Sequence, residues 1–173
     1  LEFSLKVFNW PLILVSLLLF ACATKRPEGS TEAEIHYKEA KELISKSRFI
    51  QANEKLNSLR SQYPYSFYAT HAELLQADIL FSQENYAESA SAYILFRDFH
   101  PKYNDLGYVV FRISESFYRQ LPSTFDRDLT AGSEAIKYYR ELLQNYSNTE
   151  YVKDAQVRID QIEGMLEKKE IYI

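Results

Sequence analysis

The hydrophobic pattern divides the chain into one unbroken apolar stretch and a long periodic remainder. The stretch runs Trp10-Pro-Leu-Ile-Leu-Val-Ser-Leu-Leu-Leu-Phe-Ala21 and is preceded by Lys6. It falls short of the roughly 20 apolar residues that a membrane-spanning helix needs. A basic residue ahead of a short apolar run is the pattern of a secretory signal that is later removed. Residues 1–21 are therefore expected to form a signal peptide. Residues 22–31, which are polar and contain Pro27 and Gly29, are expected to form a flexible tether. From Glu32 onward, apolar residues recur at three- and four-residue spacing, the period of amphipathic helices.

The periodic part repeats itself. Ala40 and Ala77, Leu43 and Leu80, Phe49 and Tyr86, Leu56 and Tyr93, Leu59 and Phe96, and Pro64 and Pro101 are all 37 residues apart. Each unit predicts a helical hairpin, with Glu32–Lys46 and Phe49–Gln62 in the first and Tyr68–Ser82 and Tyr86–Phe99 in the second. The prolines end the second helices because they lack an N–H and clash with the preceding turn. A third unit predicts helices over Tyr108–Gln120 and Ser133–Tyr146, stretched by nine residues that fall in the loop Leu121–Ala131. A last helix, Glu150–Glu170, places Val152, Ala155, Ile159, Ile162 and Leu166 on one face, and either caps the stack or opens a fourth unit.

The expected fold class is all-α, a helical-hairpin solenoid of about three repeats plus a final helix. Residues 32–101 form two repeats, and residues 102–173 form the third with its inserted loop and the C-terminal helix. The spacing is similar to that of tetratricopeptide repeats. Ala40, Ala52, Leu56, Leu59 and Pro64 stand at that repeat's small, large and proline positions, and His36 and Glu73 stand where it usually has tryptophan.

In such a stack the first helix of each unit lines a concave face. Helical spacing puts Tyr37, Lys41 and Ile44 on it, then His71, Leu74, Asp78 and Phe81, then Tyr108, Phe111, Glu115 and Tyr118. This stripe is aromatic with scattered charge of both signs, a composition suited to an extended or helical peptide. Some of these side chains are alternatively expected to pack between hairpins.

Composition narrows the partners. The chain has 173 residues, 14 tyrosines, 11 phenylalanines and a net charge of −4, which argues against nucleic acid as a ligand. The three histidines, His36, His71 and His100, lie in separate hairpins without metal-ligand spacing, and no glycine-rich phosphate loop is present. Asp126 and Asp128 flank Arg127 in the long loop, where caps and local ion pairs are the expected role rather than acid–base chemistry. The chain therefore reads as a binding protein, without catalytic residues, metal or cofactor.

The single cysteine adds a location. Leu19-Phe20-Ala21-Cys22 resembles the lipobox of bacterial lipoproteins, in which the thiol is acylated and the cysteine becomes the new N-terminal residue. Acyl chains contribute about 0.8 kcal/mol per buried CH₂, and two or more together hold a domain on a membrane. Ala23 after the cysteine follows the family-level rule for sorting to the outer membrane.

Further residues carry a more specific resemblance. Tyr63-Pro64-Tyr65-Ser66-Phe67-Tyr68-Ala69, His100-Pro101 followed by Tyr108-Val-Val-Phe111, the Asp126-Arg127-Asp128 loop, and Asn145-Tyr146-Ser147-Asn148-Thr149-Glu150-Tyr151 occur in order behind Cys22. In this order they resemble the outer-membrane assembly lipoprotein family BamD, also called ComL. Ser147 stands where that family has proline, and Gly107 where it usually has aspartate. The resemblance implies a lipid-anchored scaffold or receptor on the periplasmic face of the outer membrane. Its partners would be β-barrel assembly subunits and unfolded outer-membrane proteins. Family members commonly carry about five repeats, so the contact made by their C-terminal repeats is not carried over. A periplasmic repeat scaffold serving cell-wall or division factors fits the same periodicity.

Overall fold

A computed structural model describes residue 29 and residues 31–172. The signal peptide, Cys22 and most of the tether lie outside the described residues. Those described contain seven helices: α1 (Glu32–Ser45), α2 (Phe49–Gln62), α3 (Phe67–Ser82), α4 (Tyr86–Phe99), α5 (Leu106–Tyr118), α6 (Thr130–Asn145) and α7 (Val152–Tyr172). Each packs chiefly against its neighbours in the chain, so α1–α2, α3–α4 and α5–α6 are stacked hairpins and α7 lies on α6. The architecture is all-α, as the spacing predicts.

Local sequence accounts for the helix ends. Thr31, Ser66 and Asp105 cap α1, α3 and α5, their side chains accepting from the backbone N–H of Glu34 at 3.2 Å, Ala69 at 3.1 Å and Tyr108 at 3.1 Å. The first helices of units one and two end in left-handed residues that are not glycine, Ser47 at φ 56° and Glu84 at φ 62°. Each turn closes with the hydrogen bond of a Schellman motif, from Arg48 N–H to Leu43 at 2.9 Å and from Asn85 N–H to Leu80 at 3.0 Å. Ser47 and Glu84 are themselves 37 residues apart, so the repeat extends to backbone geometry.

Three differences concern the third unit and the last helix. Its first helix starts two residues earlier than predicted, at Leu106, because Asp105 supplies a cap that apolar periodicity does not register. Its second helix starts at Thr130 rather than Ser133, where the Asp128 carboxylate accepts from the Thr130 N–H at 2.9 Å and hydroxyl at 2.6 Å. The last helix begins at Val152 and runs to Tyr172.

Two apolar clusters form the core. The first gathers Ala40, Ala52, Leu56, Leu59, Ala69, Ala72 and Ile79, and the second gathers fifteen buried residues from Leu74 to Ile162. Helix α3 serves both, with Ala69, Ala72 and Ile79 in the first and Leu74 and Ala77 in the second. The alanines of the repeat let neighbouring helices approach closely while Leu56, Tyr93 and Tyr139 fill the grooves, all three fully buried. Buried Gly107 extends this logic, since a Cβ there would come within 2.6 Å of Thr149 Cγ2.

Candidate functional site

The stripe predicted along the first helices falls into three connected groups. In the first, the Tyr37 ring lies 5.5 Å from Tyr68 and 6.3 Å, edge-on, from His71. The Lys41 amine sits 5.9 Å from the Tyr37 ring centre, and half-buried Ile44 packs on the N-terminal core cluster. His71 continues the line, its ring 4.0 Å from Phe67 and 5.6 Å from Tyr103. Its Nδ1 lies 2.9 Å from the Phe67 carbonyl. Burial pushes the Tyr37 and Tyr103 phenols above their ordinary range, and nearby Tyr103 adds to the effect on Tyr37 and Asp105 to that on Tyr103. Beside this group opens a cleft of about 480 Å³ lined in part by Phe67, His71, Phe99 and Tyr103. Phe67 is 70% exposed and Phe99 72%, an apolar surface of the kind that marks interaction sites.

The second group centres on Asp78. Its carboxylate accepts from the Tyr93 hydroxyl and, at 2.6 Å, from the Tyr108 hydroxyl. Arg112 Nε donates to the Tyr93 hydroxyl at 3.1 Å, and its guanidinium lies 3.5 Å from the centre of the Phe81 ring, a close cation–π contact. Burial drives the Tyr93 and Tyr108 phenols far up, and the Asp78 charge pushes them further.

In the third group Phe111 stacks on Tyr151 at 4.6 Å, with the rings 15° from parallel. Tyr118 donates to Gln161 at 2.9 Å and lies 4.4 Å beneath the Arg158 guanidinium. Glu115 is buried, accepting from the Tyr139 hydroxyl and, at 3.3 Å, from Arg158 Nε. Burial raises the Tyr139 phenol, and the hydrogen bond to Glu115 raises it further.

Two members of the predicted stripe are corrected. Leu74 and Glu115 are buried and present nothing to a ligand. Leu74 packs in the C-terminal core cluster, and Glu115 is held between α6 and α7 by Tyr139 and Arg158.

The second and third groups are versions of one device. Asp78 and Phe81 on α3 correspond to Glu115 and Tyr118 on α5, 37 residues on, and Tyr93 and Arg112 correspond to Tyr139 and Arg158, 46 residues on because of the inserted loop. Each set joins an acid, a buried tyrosine and an arginine seated on a ring. One repeat earlier the same places hold Lys41, Leu56, Leu75 and Ile44, and Leu56, Leu75 and Ile44 pack in the N-terminal apolar cluster instead. Sequence reasoning missed Tyr103, Arg112, Tyr151 and Arg158 along this face, and the buried Tyr93 and Tyr139 that hold it from beneath. The recurrence of tyrosine and arginine in register was the available signal.

In the long loop, the carboxyls of Asp126 and Asp128 are held below the usual range by hydrogen bonds to Thr124 and Thr130 respectively. Lys169 on α7 donates to the Arg127 carbonyl at 2.5 Å, tying the loop to the last helix.

The family model YfiO, described as an outer membrane lipoprotein, matches residues 30–173. The chain belongs to this family. Relatives described as outer membrane protein assembly factor BamD include proteins of Rickettsia prowazekii, 27% identical over 94% of this chain and 65% of the relative, and Neisseria gonorrhoeae, 28% identical over 85% and 61%. A third, from Caulobacter vibrioides, is 25% identical over 93% of this chain and 54% of its own length. The chain thus spans between about half and two thirds of the length of these relatives. Membership in YfiO makes it an outer-membrane lipoprotein, and among the described residues no helix is long and apolar enough to cross a membrane.

Proposed function

We propose that this chain is a lipid-anchored scaffold and receptor in outer-membrane β-barrel assembly, holding partner subunits and unfolded barrel proteins on the face of its first helices. Cys22 would carry the acyl chains, and residues 22–31 would give the domain reach from the bilayer. One observation carries the receptor part. Aromatic side chains stand in all three groups, Tyr37 with His71, Phe81 and Tyr108 about the Arg112 guanidinium, and Phe111 stacked on Tyr151, beside the exposed Phe67 and Phe99. Rings held in place by such neighbours offer apolar contact at little further cost in conformational entropy, which suits capture of a flexible peptide. The assembly role named for the relatives from Rickettsia and Neisseria supports the same reading.

Photocrosslinkers at Tyr37 and Phe111 are expected to capture a peptide from the end of a barrel protein, and one at exposed Glu88 on α4 is not. Crosslinking from Glu88 alone would move the binding surface to the opposite side and leave the chain a scaffold. Purification from membranes is expected to recover a large β-barrel protein. Recovery of peptidoglycan-associated proteins instead would favour a cell-wall or division scaffold.

A further inference from the structure

The chain reverses after every helix, so the fold has two edges made of turns. One edge carries the turns inside each hairpin, with Lys46, Arg48, Glu84, Arg119 and the Asp126-Arg127-Asp128 loop. The other carries the turns between hairpins, Tyr63-Pro64-Tyr65-Ser66 and His100-Pro101-Lys102-Tyr103 among them. Helix α1 starts at this second edge, where the His36 ring stands 6.2 Å from that of Tyr63. Tyr65 is fully exposed, Phe67 and Phe99 are largely so, and all three sit in or beside these turns. Among the described residues they are the exposed aromatic side chains. The rings are therefore gathered on the edge from which the segment toward Cys22 departs.

Resting on the lipid-anchor reading above, we propose that the edge formed by the turns between hairpins lies against the bilayer that holds Cys22, with Tyr65, Phe67 and Phe99 entering the lipid interface. Aromatic side chains gather where a bilayer meets water, because a ring offers apolar area at headgroup depth and a phenol keeps its polar tip in water. Lys102 stands exposed beside the rings and suits the lipid phosphates. Chain length fits the same orientation. Residues 22–31 can extend at most about 35 Å, which keeps the start of α1 near the lipid. The opposite edge stands one helix of 14 residues farther along, about 21 Å. The contact needs little affinity of its own, because the anchor supplies a local concentration on the order of millimolar. It orients the domain without holding it, and so agrees with release of the chain when Cys22 is removed.

The test uses the full chain, acylated at Cys22, in vesicles of phosphatidylethanolamine and phosphatidylglycerol. Acylation of Cys22 leaves no free thiol, so one added cysteine carries one fluorophore. Tyr65→Cys and Lys102→Cys report the proposed edge, and Lys46→Cys and Gln83→Cys report the opposite one. Lipids bearing a nitroxide just below the headgroup are expected to quench the first pair by about half and the second pair hardly at all, since interfacial side chains reach only ~5–10 Å into the bilayer. Adding Phe67→Ser and Phe99→Ser is expected to remove most of the quenching at Lys102→Cys, with the melting temperature recorded alongside. The comparison of the two edges needs neither serine. Equal quenching at both edges would overturn the orientation, and so would undiminished quenching at Lys102→Cys after both rings are lost. Self-quenching between labelled copies, in place of quenching by lipid, would give the edge to a second copy and overturn it too. A chain that mass spectrometry finds without acyl chains on Cys22 would instead remove the anchor reading, and the orientation with it.

Discussion

The hydroxyl of Tyr108 on α5 donates to the carboxylate of Asp78 on α3 across 2.6 Å, tying the second hairpin to the third. The same carboxylate receives the Tyr93 hydroxyl, so both phenols must stay protonated for the junction to hold. Their ordinary value is near 10, and burial together with the Asp78 charge raises it in the fold. A group whose value is raised by folding contributes stability that is intact below its unfolded value and is lost as pH rises above it. Stability is therefore expected to be flat up to about pH 10, then to fall by about 1.4 kcal/mol per pH unit for each such phenol. Tyr139, raised by burial and Glu115, adds a third. Denaturant melts between pH 8 and 12 check this, and Tyr93→Phe is expected to show the shallower fall.

The two arginines are expected to differ when removed. Arg158→Met leaves Glu115 buried with Tyr139 and, at 3.7 Å, Arg119, and is expected to cost about 2–3 kcal/mol, below a fully broken buried pair. Arg112→Met leaves Asp78 with both phenols and is expected to cost about 1 kcal/mol. Equilibrium urea unfolding separates the two. Equal losses would mean that Glu115 does not depend on Arg158.

The left-handed turns make a stabilising prediction. Ser47 and Glu84 carry positive φ with a Cβ, a conformation that costs an L-residue roughly 1–2 kcal/mol. Glycine removes that cost but adds freedom to the unfolded chain. Ser47→Gly and Glu84→Gly are each expected to gain about 0.5 kcal/mol, read as a small rise in melting temperature.

The last helix is expected to be part of the fold rather than a tail. Ala155, Ile159 and Ile162 are buried against the preceding hairpin, and Leu166 packs partly on it. Ile162→Ala is expected to cost about 2–5 kcal/mol. Deleting residues 150–173 removes Tyr151, Ile159 and Ile162 together and is expected to lower the melting temperature sharply, since each repeat leans on its neighbour. An unchanged melt would show α7 to be undocked.

Cys22→Ala is expected to release the chain from membranes into the soluble periplasmic fraction with its helical content intact. Fractionation and circular dichroism check both halves of the statement. Persistence on membranes free of partners would remove the lipid anchor from the proposal.

Much of the fold was legible because its repeat is written in side-chain volume. Ala40 and Ala77, or Leu59 and Phe96, are small or large at fixed intervals, and packing needs them so. The helix starts were less legible, because Asp105 and Asp128 act through local hydrogen bonds rather than through a period. The surface was legible only in part. Helical spacing puts Tyr37, Phe81, Tyr108 and Phe111 on the first helices, where each has a ring or cation as neighbour, but it treats every side chain as pointing straight out. Arg112 reaches sideways over Phe81, and Glu115 turns inward to Tyr139, and neither direction follows from spacing.

Helix α3 has apolar neighbours on two sides, the first cluster through Ala69, Ala72 and Ile79 and the second through Leu74 and Ala77. It is a party wall between two rooms, and neither room can be demolished alone. A truncation that begins at residue 67 would lay Ala72 and Ile79 open to water, and one that stops at residue 62 would leave Leu56 and Leu59 without a lid. The repeats are countable units on paper, yet between the first and second there is no seam at which to cut.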